Sequence, residues 1–287
     1  MEISPRPAPT AHLRQPLASR AHIVYPRTMK QWALITGANS GIGQATAELL
    51  FQNGYSVIAF SRNPPLANNQ EGFHHVKLDV TNSAEIRAAQ QEVERLTAGS
   101  GPIHLINNAG IAVAGPVEGL SLERWREQFE VNVFGLLALT QTLLPHLRRT
   151  RGRLINLSSI SGLFVSPYLG AYAASKYAVE AISDALRREL LSAGVKVILI
   201  EPGPIATPIW DKNLREKEAL LASFSPEITR HYGADMDRFA HEVQQAVKAA
   251  LPVSRVSETI LRALRAKNPK ARYPILSTAS RWQIALI

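Results

Sequence analysis

The sequence predicts an α/β protein built on one doubly wound, mostly parallel sheet with helices on both faces. Strand-like and helix-like segments alternate along most of its 287 residues, a length that can bury one large core. The apolar run 32–35 leads directly into the glycine-rich segment 36–43, and an amphipathic helical pattern follows at once. Because crossovers between parallel strands are right-handed, this alternation predicts a doubly wound arrangement.

The predicted strands are short apolar runs bounded by turn residues, at 31–36, 55–60, 74–78, 103–106, 153–157, 195–200 and 272–275. Helical periodicity predicts one helix that ends near residue 53 and others over about 83–97, 121–149 and 170–192. The long helix at 121–149 is expected to be straight or kinked. Residues 203–267 are predicted to be partly irregular and partly helical. The loop 63–65 contains two consecutive prolines, which exclude a helix and a central strand there.

The glycine-rich segment has the features of a nucleotide-binding turn. Gly37 can adopt a positive φ, Gly41 lets a pyrophosphate approach the backbone, and Gly43 lets the helix pack closely on the strand. The helix N-terminus favours an anion. A tight connection without a ligand is the alternative, but the flanking strand and helix favour a nucleotide site. The other residues predicted to contact the nucleotide here are Asn39, Ser40 and Ile42.

Tyr172 and Lys176 are four residues apart in a helical stretch, which places both side chains on one helix face. A free phenol has a pKa of about 10, and a shift to near 7 requires about 4 kcal/mol. One cation at about 4 Å, in an effective dielectric of about 20, supplies an energy of that order. We therefore expect Lys176 to lower the pKa of Tyr172, with an exposed helical pair as the alternative.

In these motifs the chain resembles the classical short-chain dehydrogenases/reductases. The resemblance covers residues 31–275. Within this range, residues 268–273 look like the corresponding segment of members that act on steroids or retinoids. It implies a Rossmann-like sheet with strand order 3-2-1-4-5-6-7. The motifs that carry it, in order, are 36–43, Asp79 with Val80, 107–110, Asn132, Ser158 with Ser159, Tyr172 with Lys176, and Pro202 with Gly203 before Thr207.

The resemblance also implies hydride transfer between a nicotinamide and the carbon of a carbonyl or alcohol. Tyr172 would exchange a proton with the substrate oxygen, and Lys176 would lower its pKa and hold the ribose hydroxyls. Ser159 lies 13 residues before the tyrosine, the usual spacing of the family, and would bind the substrate oxygen. Asn132 matches an asparagine that holds a water leading to the lysine. A structural asparagine that bends the helix is the alternative.

The end of the second strand predicts the cofactor. Dinucleotide folds that bind NAD place an acidic residue there to hold the ribose 2′-hydroxyl. This chain has Ser61 and Arg62 instead. Arg62 can bind a 2′-phosphate through charge-assisted hydrogen bonds, and Ser61 can donate another. We therefore predict NADP(H) rather than NAD(H), with a solvated Arg62 as the alternative.

The remaining predicted cofactor contacts follow the third, fourth and sixth strands, where ligands of such sheets bind. Asp79 would meet the adenine end, with a structural turn residue as the alternative. By the resemblance, Ile205 and Thr207 would lie near the nicotinamide carboxamide. The full set on these loops is Asp79, Val80, Asn108, Ala109, Gly110, Pro202, Gly203, Ile205 and Thr207.

The net charge of +9 is concentrated at the two ends of the chain. Residues 1–30 carry +4 and residues 253–287 carry +6, whereas residues 31–252 carry −1, which argues against a nucleic-acid groove. The chain has no cysteine, its histidines form no metal-ligand pattern, and its apolar runs are too short to span a membrane. We predict a cytoplasmic protein with no metal, nucleic-acid or membrane-spanning role.

The predicted domain covers residues 29–276, between an N-terminal extension and a tail at 277–287. The proline- and arginine-rich segment 1–28 is predicted to be disordered, with an actual start at Met29 or a transit peptide as alternatives. Residues 204–255 are predicted to form a lid over a hydrophobic substrate, or else to pack on the body. The apolar residues behind this prediction are Pro204, Ile205, Pro208, Ile209, Trp210, Leu214, Leu220, Leu221, Phe224, Ile228 and Tyr232.

These features predict an NADP(H)-dependent carbonyl reductase or alcohol dehydrogenase acting on a small molecule. A sugar-nucleotide epimerase is disfavoured, because such enzymes have another glycine spacing and a longer substrate domain. A non-catalytic NADP(H) sensor is disfavoured, because sensors typically lack the tyrosine or the lysine. The resemblance further implies a homodimer or homotetramer that pairs through the helices at 121–149 and 170–192.

Overall fold

The computed structural model describes residues 30–65, 70–98, 100–210 and 218–277. The predicted extension 1–28 and all but the first residue of the tail 277–287 lie outside these ranges. A seven-stranded parallel sheet with the order 3-2-1-4-5-6-7 forms the centre, which confirms the predicted fold class and strand order. Its strands are β1 Gln31–Thr36, β2 Tyr55–Ser61, β3 Phe73–Lys77, β4 Ile103–Asn107, β5 Arg153–Leu157, β6 Lys196–Pro202 and β7 Arg272–Ile275.

Local sequence explains where several helices begin. The side chains of Asn82, Ser121 and Ser225 each accept a hydrogen bond from a backbone N–H in the first turn of the helix that follows. No helix within the described ranges combines the length and the apolarity that crossing a bilayer requires. The helices are α1 Gly41–Gln52, α2 Ser83–Thr97, α3 Leu122–Phe129, α4 Leu136–Thr150, α5 Gly170–Glu189, α6 Pro226–Lys248 and α7 Ser254–Arg265.

The predicted helix at 121–149 is divided into α3, a π-helical segment Glu130–Gly135, and α4. A π-helical turn widens the helix and rotates the face that follows, and such turns are frequent at functional sites. Asn132 is buried within this segment. The apolar period of the sequence predicted the helix but not this change of winding.

Helices cover both faces of the sheet. On β1, Ala33 and Ile35 face one buried cluster, which α1 and α7 complete, whereas Trp32 and Leu34 face another, which α2 and α4 complete. Each fully buried leucine or isoleucine stabilises the fold by about 1.5–3 kcal/mol. Since both faces are covered, the central strands are apolar at nearly every position. Such continuous apolar runs in the sequence indicate a parallel sheet.

The strand order reverses between β1 and β4, and this reversal opens a crevice at the carboxyl ends of the strands. The hydroxyl of Thr36, at the end of β1, accepts hydrogen bonds from the backbone N–H groups of Asn108 and Ala109, both at 2.9 Å. The side-chain amide of Asn108 donates to the Thr36 carbonyl at 2.8 Å. The two loops that bound the crevice are therefore held together directly.

Candidate active site

A cavity of about 1470 Å³ lies at this carboxyl edge, between the glycine turn and helix α6. It brings together nearly all predicted site residues, although they come from six separate loops and helix starts. Gly43 and Asn132 are the two predicted residues that do not line it. Those that do are Gly37, Asn39, Ser40, Gly41, Ile42, Ser61, Arg62, Asp79, Val80, Asn108, Ala109, Gly110, Ser159, Tyr172, Lys176, Pro202, Gly203, Ile205 and Thr207.

The glycines of the turn are required for two different reasons. Gly37 and Gly41 have φ values of +64° and +54°, a region that side chains other than glycine rarely adopt. A Cβ on Gly43 would lie 2.2 Å from the Gly37 carbonyl oxygen and 2.5 Å from the Asn108 side-chain nitrogen. Gly43 therefore permits the close approach of the helix, here against the turn and the β4 loop.

The start of α1 is suited to an anionic ligand. Ser40 precedes the helix without a side-chain capping hydrogen bond, and the first turn contains no acidic residue. A Cβ built on Gly41 would meet no other atom closer than 3.4 Å, where it would reach Thr207. The turn thus leaves both space and N–H donors for a phosphate group.

Ser61 and Arg62, at the end of β2, both line the cavity. The Ser61 hydroxyl is buried and has no hydrogen-bond partner among the described residues, which is costly unless a ligand supplies one. Arg62 lines the cavity, is exposed, and forms no ion pair with another described residue. Asp79 also lines the cavity, but its carboxylate accepts from the Thr81 backbone at 2.9 Å and hydroxyl at 2.8 Å, as a turn residue does.

Asn108 has a structural task in addition to its place in the cavity wall. Its side-chain amide donates to the Thr36 carbonyl at 2.8 Å and to the Gly37 carbonyl at 3.3 Å. Both amide hydrogens are therefore engaged by the end of β1 and the glycine turn. The side chain positions the turn, and its remaining hydrogen-bonding atom is the carbonyl oxygen.

Tyr172 and Ser159 form the polar centre of the cavity. The Tyr172 phenol is buried and hydrogen-bonded to Ser159. The Ser159 hydroxyl also accepts from the Ser161 backbone N–H at 3.1 Å, which fixes its direction. Lys176, one turn along α5, donates to the Leu157 carbonyl at 2.8 Å, and its nitrogen lies 5.7 Å from the centre of the Tyr172 ring.

The expectation that Lys176 lowers the pKa of Tyr172 is not met. Burial raises the pKa of Tyr172 above its ordinary value, and the hydrogen bond with Ser159 opposes that rise only in part. Burial also lowers the pKa of Lys176, to about 8, against the opposing charge of Glu180. The sequence-based estimate counted one nearby charge and omitted the desolvation of both groups. In this state the phenol keeps its proton at neutral pH.

The side chain of Asn132 makes structural hydrogen bonds, while its predicted role of holding a water that leads to the lysine stays a prediction. Its side-chain oxygen accepts from the Ile111 backbone N–H at 2.8 Å, and its nitrogen donates to the Ile111 carbonyl at 3.0 Å. The same nitrogen donates at 3.1 Å to Ser175, whose hydroxyl bonds the Tyr172 carbonyl at 2.7 Å. Asn132 thereby connects the loop after β4 to the first turn of α5.

Gln128 was missed, although it supports the same loop. It is fully buried, accepts from the Val113 backbone N–H at 2.7 Å and donates to the Ile111 carbonyl at 3.0 Å. Its spacing of four residues from Asn132 was the available signal, because it places two amide side chains on one side of a helix.

Some residues of the apolar segment 204–232 pack on the body and others line the cavity, and the predicted lid stays a prediction. Leu220 packs against the buried Val113 and Leu120, and Phe224 and Ile228 lie against Gly119, all in the loop after β4. Leu214 and the side chain of Trp210 lie outside what the structure describes. The residues of this segment that line the cavity are Pro204, Ile205, Pro208 and Ile209, with Thr207 between them.

The far wall of the cavity is one face of α6, which sequence reasoning did not single out. Its residues recur every three or four positions, and Tyr168, in the loop before α5, donates to Asp235 at 2.9 Å. The ring of Phe239 lies edge-on to that of Tyr168, with centroids 5.6 Å apart. The face consists of Asp235, Arg238, Phe239, Glu242, Val243, Ala246 and Val247.

Comparison with known proteins identifies the family. The profile of the short chain dehydrogenase family matches residues 31–218, which include the glycine turn, Ser159, Tyr172 and Lys176. The chain belongs to the short-chain dehydrogenase/reductase family. Like other members, it is an NAD(P)-dependent oxidoreductase.

Two curated family members and one solved structure illustrate the likeness. The NADPH-dependent 3-dehydrocapnine reductase of Ornithobacterium rhinotracheale is 38% identical over 255 residues, covering 85% of this chain and 88% of that protein. Retinol dehydrogenase 16 of Homo sapiens is 37% identical over 260 residues, covering 85% and 80%. A family structure from Burkholderia phymatum, in complex with NAD, has a TM-score of 0.72 and 25% identity, covering 90% and 92%.

Proposed function

We propose that this enzyme is an NADP(H)-dependent reductase of carbonyl groups in hydrophobic compounds, with alcohol oxidation as the reverse reaction. One observation carries the proposal. Ser159, Tyr172 and Lys176 line the same cavity as the glycine turn, Ser61 and Arg62. Acid–base groups and a phosphate site are thereby arranged at the two ends of one binding space.

The preference for NADP(H) rests on Ser61 and Arg62. Among the described residues, the buried Ser61 hydroxyl has no hydrogen-bond partner and the Arg62 guanidinium has no ion-pair partner. Both groups together suit a 2′-phosphate, which accepts several charge-assisted hydrogen bonds. The 3-dehydrocapnine reductase is NADPH-dependent, whereas the Burkholderia phymatum structure contains NAD. The family therefore uses both cofactors, and the residues at the end of β2 support NADP(H) here.

Tyr172 is proposed as the acid of the reduction. When bound, the cofactor supplies a hydride from its nicotinamide to the carbonyl carbon. Ser159 would hold the carbonyl oxygen, and Tyr172 would give that oxygen its proton as the C=O π electrons move onto it. Because burial raises the pKa of Tyr172, the phenol is protonated at neutral pH, as reduction requires. Lys176 would hold the ribose hydroxyls and support the phenolate until solvent returns a proton.

A hydrophobic substrate is proposed from the walls beyond Tyr172. Phe164 and the apolar residues of α6 line this part of the cavity, and apolar walls with a few convergent polar groups are typical of small-molecule sites. Retinol dehydrogenase 16, by its name, acts on a hydrophobic alcohol. The apolar residues of α6 in question are Phe239, Val243, Ala246 and Val247.

Oxidation of NADPH, followed by its absorbance, with a panel of ketones and aldehydes tests the proposal. We expect turnover that improves with the apolar size of the carbonyl compound and that is much weaker with NADH. NADPH binding without turnover of any carbonyl or alcohol would favour the non-catalytic sensor instead. Tenfold tighter binding of NADH than of NADPH would overturn the cofactor assignment.

We also propose that the enzyme forms a homodimer or homotetramer through α4 and α5. Phe134, in the π-helical segment, and Tyr177, on α5, are large hydrophobic side chains that are 52% and 43% exposed. Aromatic residues are enriched where protein surfaces associate. Light scattering after size exclusion measures the mass. A monomer at micromolar concentration would contradict this assembly.

A further inference from the structure

Helix α5 carries a row of ionisable groups that extends beyond the proposed catalytic pair. Tyr172, Lys176, Glu180 and Asp184 follow one another at intervals of four residues, so they share one helix face. Glu180 is 7% exposed, lies outside the cavity, and leaves one carboxylate oxygen without a hydrogen-bond partner among the described residues. A buried carboxylate thus lies one helical turn from a buried lysine.

Arg272, on β7, holds this end of the row. Its guanidinium contacts Glu180 at 3.0 Å, Asp184 at 2.9 Å and Glu201 of β6 at 3.3 Å. Asp184 is also paired with Arg187 at 2.7 Å. Three carboxylates therefore share the Arg272 guanidinium, and Asp184 has Arg187 as a second cationic partner.

We propose that Glu180 is a positioning residue that keeps the Lys176 ammonium charged beside Tyr172, while Arg272 holds Glu180 in place. This inference rests on the proposed function, because it concerns the same tyrosine and lysine. Lys176 has one hydrogen bond to a carbonyl, and in a buried pocket a single neutral acceptor does not offset the loss of hydration of an ammonium. The carboxylate of Glu180 supplies the missing opposite charge.

The pKa shifts of groups in and beside the row have the direction that this proposal requires. Burial lowers the pKa of Lys176 to about 8, and the charge of Glu180 acts against that decrease. Burial and the neighbouring Glu180 raise the pKa of Glu201 to about 7, while Arg272 opposes the rise. The groups that face Lys176 and Glu180 from α5, β6 and β7 are Tyr172, Asp184, Glu201 and Arg272.

The decisive experiment titrates Lys176 in the full-length protein without cofactor, by NMR of lysines labelled with ¹³C at Cε. The Lys176→Arg variant, which lacks that signal, assigns it. In Glu180→Gln, whose amide oxygen still accepts from Arg272, we expect the Lys176 midpoint to fall by about one pH unit. The alkaline limb of carbonyl reduction should move to lower pH by the same amount.

Asp184→Asn is the matched control. It removes a carboxylate that also contacts Arg272, but Asp184 lies one turn further from Lys176 than Glu180 does. We expect an unchanged Lys176 midpoint in this variant. An unchanged midpoint in Glu180→Gln, or equal shifts in both variants, would overturn the inference. If Glu180→Gln does not fold, Glu180→Asp retracts the carboxylate by one methylene and should give a smaller shift in the same direction.

The two proposals fail in different ways. If the wild-type enzyme reduces no carbonyl compound with NADPH, the proposed function fails, while the titration of Lys176 still measures its coupling to Glu180. If the wild-type enzyme reduces carbonyl compounds with NADPH but the titration midpoint of Lys176 is the same in Glu180→Gln, only the inference about the row on α5 fails.

Discussion

At the scale of single residues, the environment of Tyr172 decides which form of the phenol is present. The Lys176 nitrogen was expected to act on the phenol at short range, but it bonds the Leu157 carbonyl instead. Burial is the largest effect on the pKa of both groups. It disfavours the charged form of each, so it raises the pKa of Tyr172 and lowers the pKa of Lys176. A protonated phenol beside Ser159 suits reduction more directly than alcohol oxidation.

Tyr172→Phe should lower the turnover of carbonyl compounds by a factor of about 10² to 10⁴, because it removes the proton donor but keeps the ring. The affinity for NADPH, measured by fluorescence titration, should remain close to that of the wild type. Tyr177→Phe is the matched control, since Tyr177 lies on the same helix and is exposed. Turnover of Tyr172→Phe near the wild-type rate would remove Tyr172 from its proposed role.

Arg62→Ala should weaken NADPH binding by a factor of about 10 to 100, the range expected for losing a hydrogen-bonded charge from a phosphate. Binding of NADH should change little, because NADH has no 2′-phosphate. Calorimetric titration with both cofactors measures the difference. Arg255→Ala, an exposed position of α7 outside the cavity, controls for the loss of positive charge. Equal losses for both cofactors would mean that Arg62 does not read the 2′-position.

At the scale of elements, α6 is a largely surface-exposed wall of the cavity. Only Met236 of its 23 residues is buried. Two tyrosines join it to the body: Tyr168 donates to Asp235 at 2.9 Å, and Tyr232 donates to Glu118 at 2.7 Å. Tyr168 has a φ of +63°, a costly conformation for an aromatic residue that persists only when its surroundings hold it. We infer that this loop and α6 are set together around the substrate.

Tyr168→Phe should raise the KM for carbonyl substrates by a factor of about 5, the equivalent of one hydrogen bond of about 1 kcal/mol. The affinity for NADPH should not change, because Tyr168 lies on the substrate side of the cavity. Limited proteolysis should cut α6 faster in this variant and in Tyr232→Phe. Wild-type KM and proteolysis rates in Tyr168→Phe would show that the hydrogen bond does not hold α6.

At the scale of the whole molecule, His104 couples folding to pH. It is buried on β4, where one ring nitrogen accepts from the Arg153 backbone N–H at 3.1 Å and the other lies 3.2 Å from the Gln31 side-chain oxygen. Burial, and then the charge of Arg153, lower the pKa of His104 to about 3. The imidazole is therefore neutral in the folded protein at every pH at which the enzyme is expected to work.

The free energy of unfolding should decrease as the pH falls below 6.5, by about 1.4 kcal/mol per pH unit from His104 alone. The free energy of unfolding decreases at low pH because His104 binds a proton in the unfolded chain below about pH 6.5. In the folded protein it stays neutral until the pH approaches 3. Urea unfolding at pH 7.5 and 5.0 measures the change. His104→Gln should have a lower free energy of unfolding than the wild type at pH 7.5. Between pH 7.5 and 5.0, however, its free energy of unfolding should decrease by about 2 kcal/mol less than that of the wild type. The exposed His241→Gln should keep the wild-type slope, and a matching slope in His104→Gln would refute the assignment.

The fold and the glycine turn were predictable because their signals are local. A strand of six residues, a glycine turn and a helix start are neighbours in the chain, so β1, the turn and α1 are specified within residues 31–52. The spacing of Tyr172 and Lys176 is likewise contained in one helix. The π-helical winding of Glu130–Gly135 was not predictable, because the apolar period of the sequence does not distinguish it from an α-helix.

By itself, the sequence determined the order of the strands and helices along the chain and the glycine turn before α1, because short-range periodicity and glycine conformations need no distant partner. Only the tertiary structure decided the protonation of Tyr172, the clustering of Glu180, Glu201 and Arg272, and the wall that α6 adds. Those properties depend on burial and on contacts between residues as much as 114 positions apart. Desolvation and charge act through space, and a linear pattern does not record distances through space.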